Sequence, residues 1–277
     1  MIRRERRTEE IIGFALSGGG ARGASQAGAL KAITEAGIWP QLVAGTSAGA
    51  VNAAWLALHP HRLDKLEAIW LALRTQDVFP GNRVRLLLNF TRRGYVHAAD
   101  AWESFLVQHL GNARFEETEL SCAVVAVRLS DGERVVFERG ELVPAIMAST
   151  AIPGVFPPYC IGGELYVDGG VLEFLPVPTL IERGATVTYA MDSSWFGPMS
   201  SEIGAVVDRC SRISARASAD MVTSLPSTRG TSVHLLRPEL KEFADARDFR
   251  HSAELVRAGY DQASQYLREH GSISASS

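Results

Sequence analysis

This chain of 277 residues has few cysteines, a small net charge and no long uninterrupted apolar run. Three cysteines, Cys122, Cys160 and Cys210, are too few and too scattered for a disulfide framework, and none has zinc spacing to histidine. The 28 basic and 31 acidic residues leave a net charge of −3, which argues against a dedicated nucleic-acid-binding protein. The sequence also has no Asp-rich calcium loop, so we expect no metal and no other cofactor.

Segments that could direct the chain to or through a membrane are short or interrupted. The N-terminus is basic, but its apolar run, Ile11–Leu16, ends at three glycines and is too short for an export signal. Two uncharged stretches, 36–58 and 142–163, contain prolines or polar residues that break a continuous spanning helix. We therefore expect a cytoplasmic protein without a transmembrane helix, in contact with a membrane at most peripherally.

Short apolar strands alternate with helices along most of the chain. The apolar runs predict strands at Ile11–Leu16, Leu42–Ala44, Cys122–Leu129, Glu133–Phe137, Thr186–Met191 and Ser232–Leu236. Composition and 3.6-residue spacing predict helices at Ala24–Ala36, Ala48–Leu58, Arg62–Leu73, Ala99–Leu110, Ile203–Val222 and Ser252–Glu269. This alternation predicts an α/β fold with a mainly parallel sheet covered by helices on both faces. We expect a basic extension over residues 1–10, a single domain over residues 11–271 and a flexible tail over residues 272–277.

The segment Gly45-Thr46-Ser47-Ala48-Gly49 matches the G-x-S-x-G pattern of a nucleophile elbow. It follows a predicted strand and precedes a predicted helix, and this context makes the short pattern informative. Glycines, which lack a Cβ, let the strand and the helix pass close together. We therefore expect Ser47 at the helix N-terminus, where the partial positive charge favours an alkoxide and the oxyanion that its attack creates.

A glycine-rich loop, Ser17-Gly18-Gly19-Gly20-Ala21-Arg22-Gly23, follows the first strand and opens the first helix. Its backbone N–H groups can receive the oxyanion of an acyl-transfer reaction, and Arg22 is expected to orient the loop or to bind a head-group phosphate. Gly18, Gly20 and Gly23 also satisfy the dinucleotide fingerprint G-x-G-x-x-G. That alternative needs an acidic residue at the end of the second strand, where the sequence has the elbow instead, so it is disfavoured.

A serine nucleophile needs a proton acceptor, and two aspartates follow predicted strands. Asp168 ends the short apolar run Leu165–Val167 and precedes Gly169 and Gly170, which permit close approach. Asp192 has the same position at the end of a later strand. The pattern alone does not choose between the two carboxylates.

Taken together, the glycine-rich loop, the elbow and the later Asp168-Gly169-Gly170 resemble the patatin-like phospholipase family. The family's further A-S-x-x-x-P block is matched by Ala148–Pro153, and the resemblance runs from Gly13 to Pro178. It implies a three-layer α/β/α sandwich with a mainly parallel central sheet. It also implies an enzyme that hydrolyses the acyl esters of lipids, with a phospholipid or lysophospholipid as substrate.

The resemblance further implies that Ser47 is the nucleophile, that Asp168 is its partner in a Ser-Asp dyad, and that the oxyanion hole is formed by Gly18, Gly19 and Gly20. An aspartate with an ordinary pKa of about 3.9 is a weak base, so burial is expected to raise the pKa of Asp168. A Ser-Asp-His triad of the α/β-hydrolase type is the mechanistic alternative, with three candidate histidines, His234, His251 and His270.

The segment Arg83–Tyr95 gives lipid substrates some independent support. Four arginines surround apolar residues there, and no acidic residue occurs between Asp77 and Asp100. The segment predicts contact with an anionic membrane surface or a cover over an acyl pocket, against the plainer alternative of a core helix with an arginine face. The alternative of another class is a catalytically slow protein that binds lipid or a protein partner, which the intact dyad and glycine loop disfavour.

Overall fold

A computed structural model of the protein describes residues 10–81, 95–197, 205–224, 230–240 and 245–271. Within these residues the strands form one mixed sheet: β1 (Ile12–Leu16), β2 (Leu42–Thr46), β3 (Ser121–Arg128), β4 (Arg134–Phe137), β5 (Tyr159–Ile161), β6 (Glu164–Asp168), β7 (Val187–Met191) and β8 (Ser232–Leu236). Hydrogen-bonded pairing links them in the order β5-β6-β3-β2-β1-β7-β8, and β4 also pairs with β3. The pairs among β3, β2, β1, β7 and β8 are parallel, so the centre of the sheet is parallel, as predicted.

Helices connect and cover these strands: α1 (Ala24–Glu35), α2 (Ala48–Leu58), α3 (Leu63–Ala72), α4 (Thr75–Val78), α5 (Asp100–Leu110), α6 (Leu142–Ser149), α7 (Val177–Glu182), α8 (Ala205–Ser224) and α9 (Ser252–His270). In the part of the chain that the structure describes, none of them combines the length and the apolar character needed to cross a bilayer.

The sheet lies between two layers of helices, because successive side chains of a strand point to opposite faces. Phe14 and Leu16 of β1 belong to a large core cluster with residues of α1, α2 and α9. Ala15, between them, belongs to a second cluster with residues of α7 and α8. Large side chains thus occupy one face of β1 and a small alanine the other. The α/β/α layering and the mainly parallel central sheet are confirmed.

Two strands that run in opposite directions meet end to end beside β3. β2 runs parallel to β3 and its last residue, Thr46, pairs with Val125. β6 runs antiparallel to β3 and its last residue, Asp168, pairs with Ala126. β4 pairs with both of these β3 residues, so β2 and β6 share the opposite side of β3. The residue after Thr46 and the carboxylate of Asp168 are therefore brought together from sequence positions far apart.

Most predicted elements are confirmed, with ends displaced by one or two residues. The sequence patterns missed α6 and α7, the short α4 and the three-residue strand β5. Pro144 obscured α6, although a proline in the first turn of a helix is tolerated because the N–H it lacks would have no partner there. Residues 1–9 of the expected extension, the expected tail at residues 272–277 and residues 83–94 of the arginine-rich segment lie outside the described residues.

Candidate active site

Ser47 stands in a strained backbone conformation at the N-terminus of α2. Its φ of 54° and ψ of −123° make it the single non-glycine residue with positive φ in the described ranges. Such a conformation costs about 1–3 kcal/mol and persists only where the surrounding structure enforces it. The side chain is 6% exposed. Residues 45–49 therefore form a sharp turn from β2 into α2, with Ser47 at its apex.

Close packing around the elbow explains why its flanking residues are glycines. A Cβ on Gly49 would lie 2.0 Å from the carbonyl oxygen of Leu16, and a Cβ on Gly45 would lie 2.2 Å from that of Gly49. No side chain fits at either position without moving β1, β2 or α2 apart. These two glycines thus let the turn at Ser47 lie directly against the neighbouring strand.

Ser149 holds the elbow from behind, a role that the sequence patterns did not reveal. Its hydroxyl accepts a hydrogen bond from the Ser47 N–H at 2.9 Å and donates one to the Val125 carbonyl at 2.6 Å. Ser149 is fully buried at the end of α6. Ser149 belongs to the A-S-x-x-x-P block, so the sequence pattern marked this residue but did not indicate what it does.

The Asp168 carboxyl lies beside Ser47 and is itself 6% exposed. Burial raises its pKa from 3.8 to about 6, although the Ser47 hydroxyl and the Gly170 N–H, both acting as donors, lower it in part. The Gly170 N–H donates to Oδ1 of Asp168 at 2.7 Å, which fixes the orientation of the carboxyl group. The rise in pKa makes this carboxylate a stronger base than an exposed aspartate.

Asp192, the other carboxylate left open by the sequence, is committed elsewhere. It is 1% exposed and accepts hydrogen bonds from the backbone and hydroxyl of Ser194 at 2.7 and 2.8 Å. Arg237 forms a salt bridge with it, and the same guanidinium reaches Asp220 on α8. Asp192 therefore ties β7, β8 and α8 together.

The three candidate histidines also contact other groups. His234 Nδ1 lies 2.9 Å from the Tyr266 hydroxyl, and the His234 ring stacks on Tyr189. His251 Nδ1 lies 3.6 Å from a Glu254 carboxylate oxygen, and His270 Nδ1 lies 3.0 Å from the Tyr266 carbonyl. Among the residues that the structure describes, neither His234 nor His270 forms a hydrogen bond with Ser47 or Asp168.

The glycine-rich loop offers backbone donors next to Ser47. The Gly18 N–H donates to the Phe174 carbonyl at 3.0 Å and is therefore occupied. Within the described residues, the N–H groups of Gly19 and Gly20 donate to no protein acceptor. Gly20 has a φ of 58°, and a Cβ there would lie 2.3 Å from the Ala246 carbonyl oxygen, so its place suits glycine alone.

Buried side chains fix this loop from both sides. Arg22 is 6% exposed, and its Nε donates to the Ser193 carbonyl at 2.8 Å, which ties the loop to the segment after β7. On the other side, Asn52 of α2 donates to the Gly23 carbonyl at 3.0 Å and to Oε1 of Gln26 at 2.9 Å. The Gln26 amide in turn donates to the Ser17 carbonyl at 2.8 Å. The loop is thus held in place by a hydrogen-bonded network.

An apolar cavity of about 40 Å³ opens beside Ser47. Residues of several elements line it: Gly20, Ser47, Ala48, Val51, Trp70, Leu73, Val78, Phe79, Trp102, Thr150, Ile152, Phe156 and Phe249. Most of these side chains are hydrocarbon or aromatic, which suits an acyl chain better than a polar group. The described residues include no cluster of three or more His, Cys, Asp or Glu side chains able to hold a metal ion.

Comparison with known proteins assigns the chain to a family. The family model of patatin-like phospholipases matches residues 14–181, which include the glycine-rich loop, the elbow, Ser149 and Asp168. The chain belongs to the patatin-like phospholipase family.

Named relatives share part of their length with this chain. An uncharacterised NTE family protein of Mycobacterium tuberculosis is 33% identical over 189 residues, which are 68% of this chain and 51% of the relative. Lysophospholipase nte1 of Aspergillus terreus is 27% identical over 285 residues, covering 93% of this chain and 18% of that protein. The matches thus span about half of the mycobacterial relative and less of the fungal one.

Two solved structures also match most of this chain. VipD from Legionella pneumophila matches 95% of this chain and 67% of its own, with 17% identity and a TM-score of 0.48. Human GIVD cytosolic phospholipase A2 matches 94% of this chain and 62% of its own, with 11% identity and a TM-score of 0.49.

Proposed function

We propose that this chain is a serine acyl hydrolase that cleaves carboxylic ester bonds of phospholipids or lysophospholipids. Ser47 is the nucleophile and Asp168 the general base. The observation that carries the proposal is the meeting of a strained serine at a helix N-terminus with a buried carboxyl whose pKa is about 6. A purely structural serine has no need of either feature.

The reaction proceeds in two steps through an acyl-enzyme. In the first, Asp168 takes the Ser47 hydroxyl proton while Oγ attacks the ester carbonyl carbon, and the N–H groups of Gly19 and Gly20 receive the oxyanion. The C–O bond to the alcohol breaks, and Asp168 returns its proton to the departing oxygen. In the second step, water loses a proton to Asp168 and attacks the acyl carbonyl carbon. The bond from that carbon to the Ser47 oxygen then breaks, Asp168 returns the proton to this oxygen, and the fatty acid is released.

The pKa of Asp168 makes a dyad chemically adequate. A general base works best when its pKa lies near the operating pH, because it is then both ionised and basic. An aspartate with an ordinary pKa is ionised at neutral pH but is only weakly basic. With its pKa at about 6 the Asp168 carboxylate meets both near neutral pH. The histidine contacts described above support a dyad rather than a triad.

The substrate class follows from the cavity and from the relatives. The wall beside Ser47 is formed largely by apolar and aromatic side chains, which favour a hydrocarbon chain. The fungal relative is named a lysophospholipase, and the family is that of patatin-like phospholipases. A lipid acyl ester is therefore the substrate that we propose. The membrane contact predicted for residues 83–95 stays a prediction.

Hydrolysis of p-nitrophenyl butyrate tests the proposal directly. We expect Ser47→Ala to lose at least about a thousandfold in kcat/KM, and Asp168→Asn to lose a similar factor, since either change removes a group that acts in the chemical step. Ser104→Ala and Asp131→Asn are matched controls, because both side chains are exposed. Turnover by Ser47→Ala within about tenfold of the unmutated protein contradicts the proposal.

A further inference from the structure

The cavity beside Ser47, as the structure shows it, is too small to enclose a long acyl chain. Its volume of about 40 Å³ holds roughly three atoms of the size of a water molecule. Ligand sites for larger molecules commonly have about 300 Å³ or more. The part of an acyl chain beyond its first few carbons therefore lies outside this cavity unless one of the walls moves.

Two of the aromatic walls are fixed by hydrogen bonds. The Trp70 indole N–H donates to Oδ1 of Asn52 at 2.7 Å. The Trp102 indole N–H donates to the Thr150 hydroxyl at 3.0 Å. All four residues are buried, so rotating either indole would leave polar groups without partners. These two walls are consequently the rigid ones.

Three phenyl rings form the rest of the aromatic wall and are held by packing alone. Phe79 stacks on Phe156 with ring centroids 5.5 Å apart. Phe249 lies between Phe79 and Trp70, with centroids 6.2 Å from each. A phenyl ring has no hydrogen-bonding group, so its position depends on its neighbours' shape. Phe249 thus packs against both Phe79 and the Trp70 indole.

Phe249 comes from a segment outside the family match, which ends at residue 181. Phe249 is 5% exposed at the start of the short 3-10 turn Phe249–His251. The backbone of this segment contacts the rest of the site twice. The Ala246 carbonyl accepts the N–H of Ala21 at 2.7 Å, and the Arg247 carbonyl accepts the Thr75 hydroxyl at 3.1 Å. One C-terminal segment therefore both contacts the glycine-rich loop and closes the cavity.

We propose that Phe249 is the specificity-determining residue that limits the length of the acyl chain accepted at Ser47. This proposal rests on the hydrolase function above. With the ring in place, the cavity accepts a short acyl group. With the ring shortened or removed, the space between Trp70 and Phe79 becomes continuous with the cavity, and a longer chain enters.

A comparison of two esters measures this limit. The kcat/KM for p-nitrophenyl octanoate is divided by that for p-nitrophenyl butyrate in the unmutated protein, in Phe249→Leu and in Phe249→Ala. We expect the ratio to rise about tenfold or more in Phe249→Ala, the scale of discrimination that one methylene produces in an apolar pocket, and to rise less in Phe249→Leu. The leucine variant keeps most of the packing volume and serves where the alanine variant unfolds.

The control is Phe115→Ala. Phe115 is 6% exposed, begins the 3-10 turn Phe115–Glu117 and belongs to the same core cluster as Phe249, but it does not line the cavity. Its removal makes a comparable cavity elsewhere, so we expect the ester ratio to stay unchanged. A ratio that rises equally in Phe115→Ala overturns the assignment, because general loosening of the core then explains the effect.

A binding measurement separates this proposal from the hydrolase function. Calorimetry with octanoate compares Ser47→Ala with Ser47→Ala/Phe249→Ala, and it requires no turnover. Tighter octanoate binding by the double variant supports the size limit, whether or not the unmutated protein hydrolyses an ester. A lack of ester hydrolysis contradicts only the proposed function. An ester ratio within about twofold of the unmutated protein in both Phe249 variants, with no gain in octanoate affinity, overturns the role of Phe249.

Discussion

Replacing Asp168 with asparagine tests the electrostatic origin of the base through protein stability rather than through turnover. Asparagine keeps the shape of the side chain and an oxygen that accepts the Gly170 N–H, but it removes the charge. Burial raises the pKa of Asp168 from 3.8 to about 6. Since each pKa unit corresponds to about 1.4 kcal/mol, ionised Asp168 destabilises the folded protein by about 3 kcal/mol.

The pH dependence of this effect has a definite sign. Because the folded-state pKa is the higher one, the folded state holds more protons than the unfolded state between about pH 4 and about pH 6. The free energy of unfolding contributed by Asp168 therefore falls as pH rises through this window and is constant above it. Asp168→Asn has no such loss, so its stability advantage grows over the same window.

Urea unfolding at about pH 4.5 and about pH 8 measures the difference. Of the roughly 3 kcal/mol, about 2 kcal/mol is expected to develop between these two values. Asp192→Asn is the contrasting variant and is expected to lower the free energy of unfolding. Asp192 is buried in a salt bridge with Arg237, and its replacement leaves the charge of that guanidinium without its partner carboxylate. An advantage of Asp168→Asn that is absent, or equal at both pH values, refutes the reasoning.

Five further single variants test three separate parts of the account. Ser149→Ala leaves the Ser47 N–H without its partner, so we expect a loss of about 1–3 kcal/mol in urea unfolding, and unchanged stability contradicts this. Asn52→Leu removes the amide that holds Trp70 and the glycine-rich loop, so kcat should fall about tenfold with little change in KM; a change in KM alone contradicts a positioning role. Alanine is also placed singly at His234, His251 and His270. Each variant should keep at least about half of the esterase activity, and a loss above about a hundredfold in one of them favours a triad.

The parts of the site that could be predicted from the sequence are those whose geometry is local. The elbow at residues 45–49 needs a strand, a tight turn and a helix within a few positions, and glycine spacing records that directly. The elements of the parallel core were predicted because a short apolar run followed by a helix is readable in one sequence. Their ends were displaced because hydrogen bonding to neighbours, such as the pairing of Thr46 with Val125, extends a strand beyond its apolar run.

The remaining parts depend on contacts between distant positions. Asp168 could not be separated from Asp192 by pattern, because the antiparallel course of β6 along β3 decides which carboxylate meets Ser47. Phe249 has no local signal, since it lines the cavity only through the fold of the C-terminal segment. Ser149 acts from the end of a helix that a proline concealed. Tertiary packing, rather than propensity, assigns these residues.

Covalent labelling by a fluorophosphonate tests the central claim most directly, because the reagent phosphonylates an activated serine and its site is located by peptide mass spectrometry. We expect a single adduct on Ser47, formed at least about a hundredfold more slowly in Asp168→Asn, since the carboxylate that takes the hydroxyl proton is absent. An adduct on another residue, or equal labelling rates in the two proteins, contradicts the account.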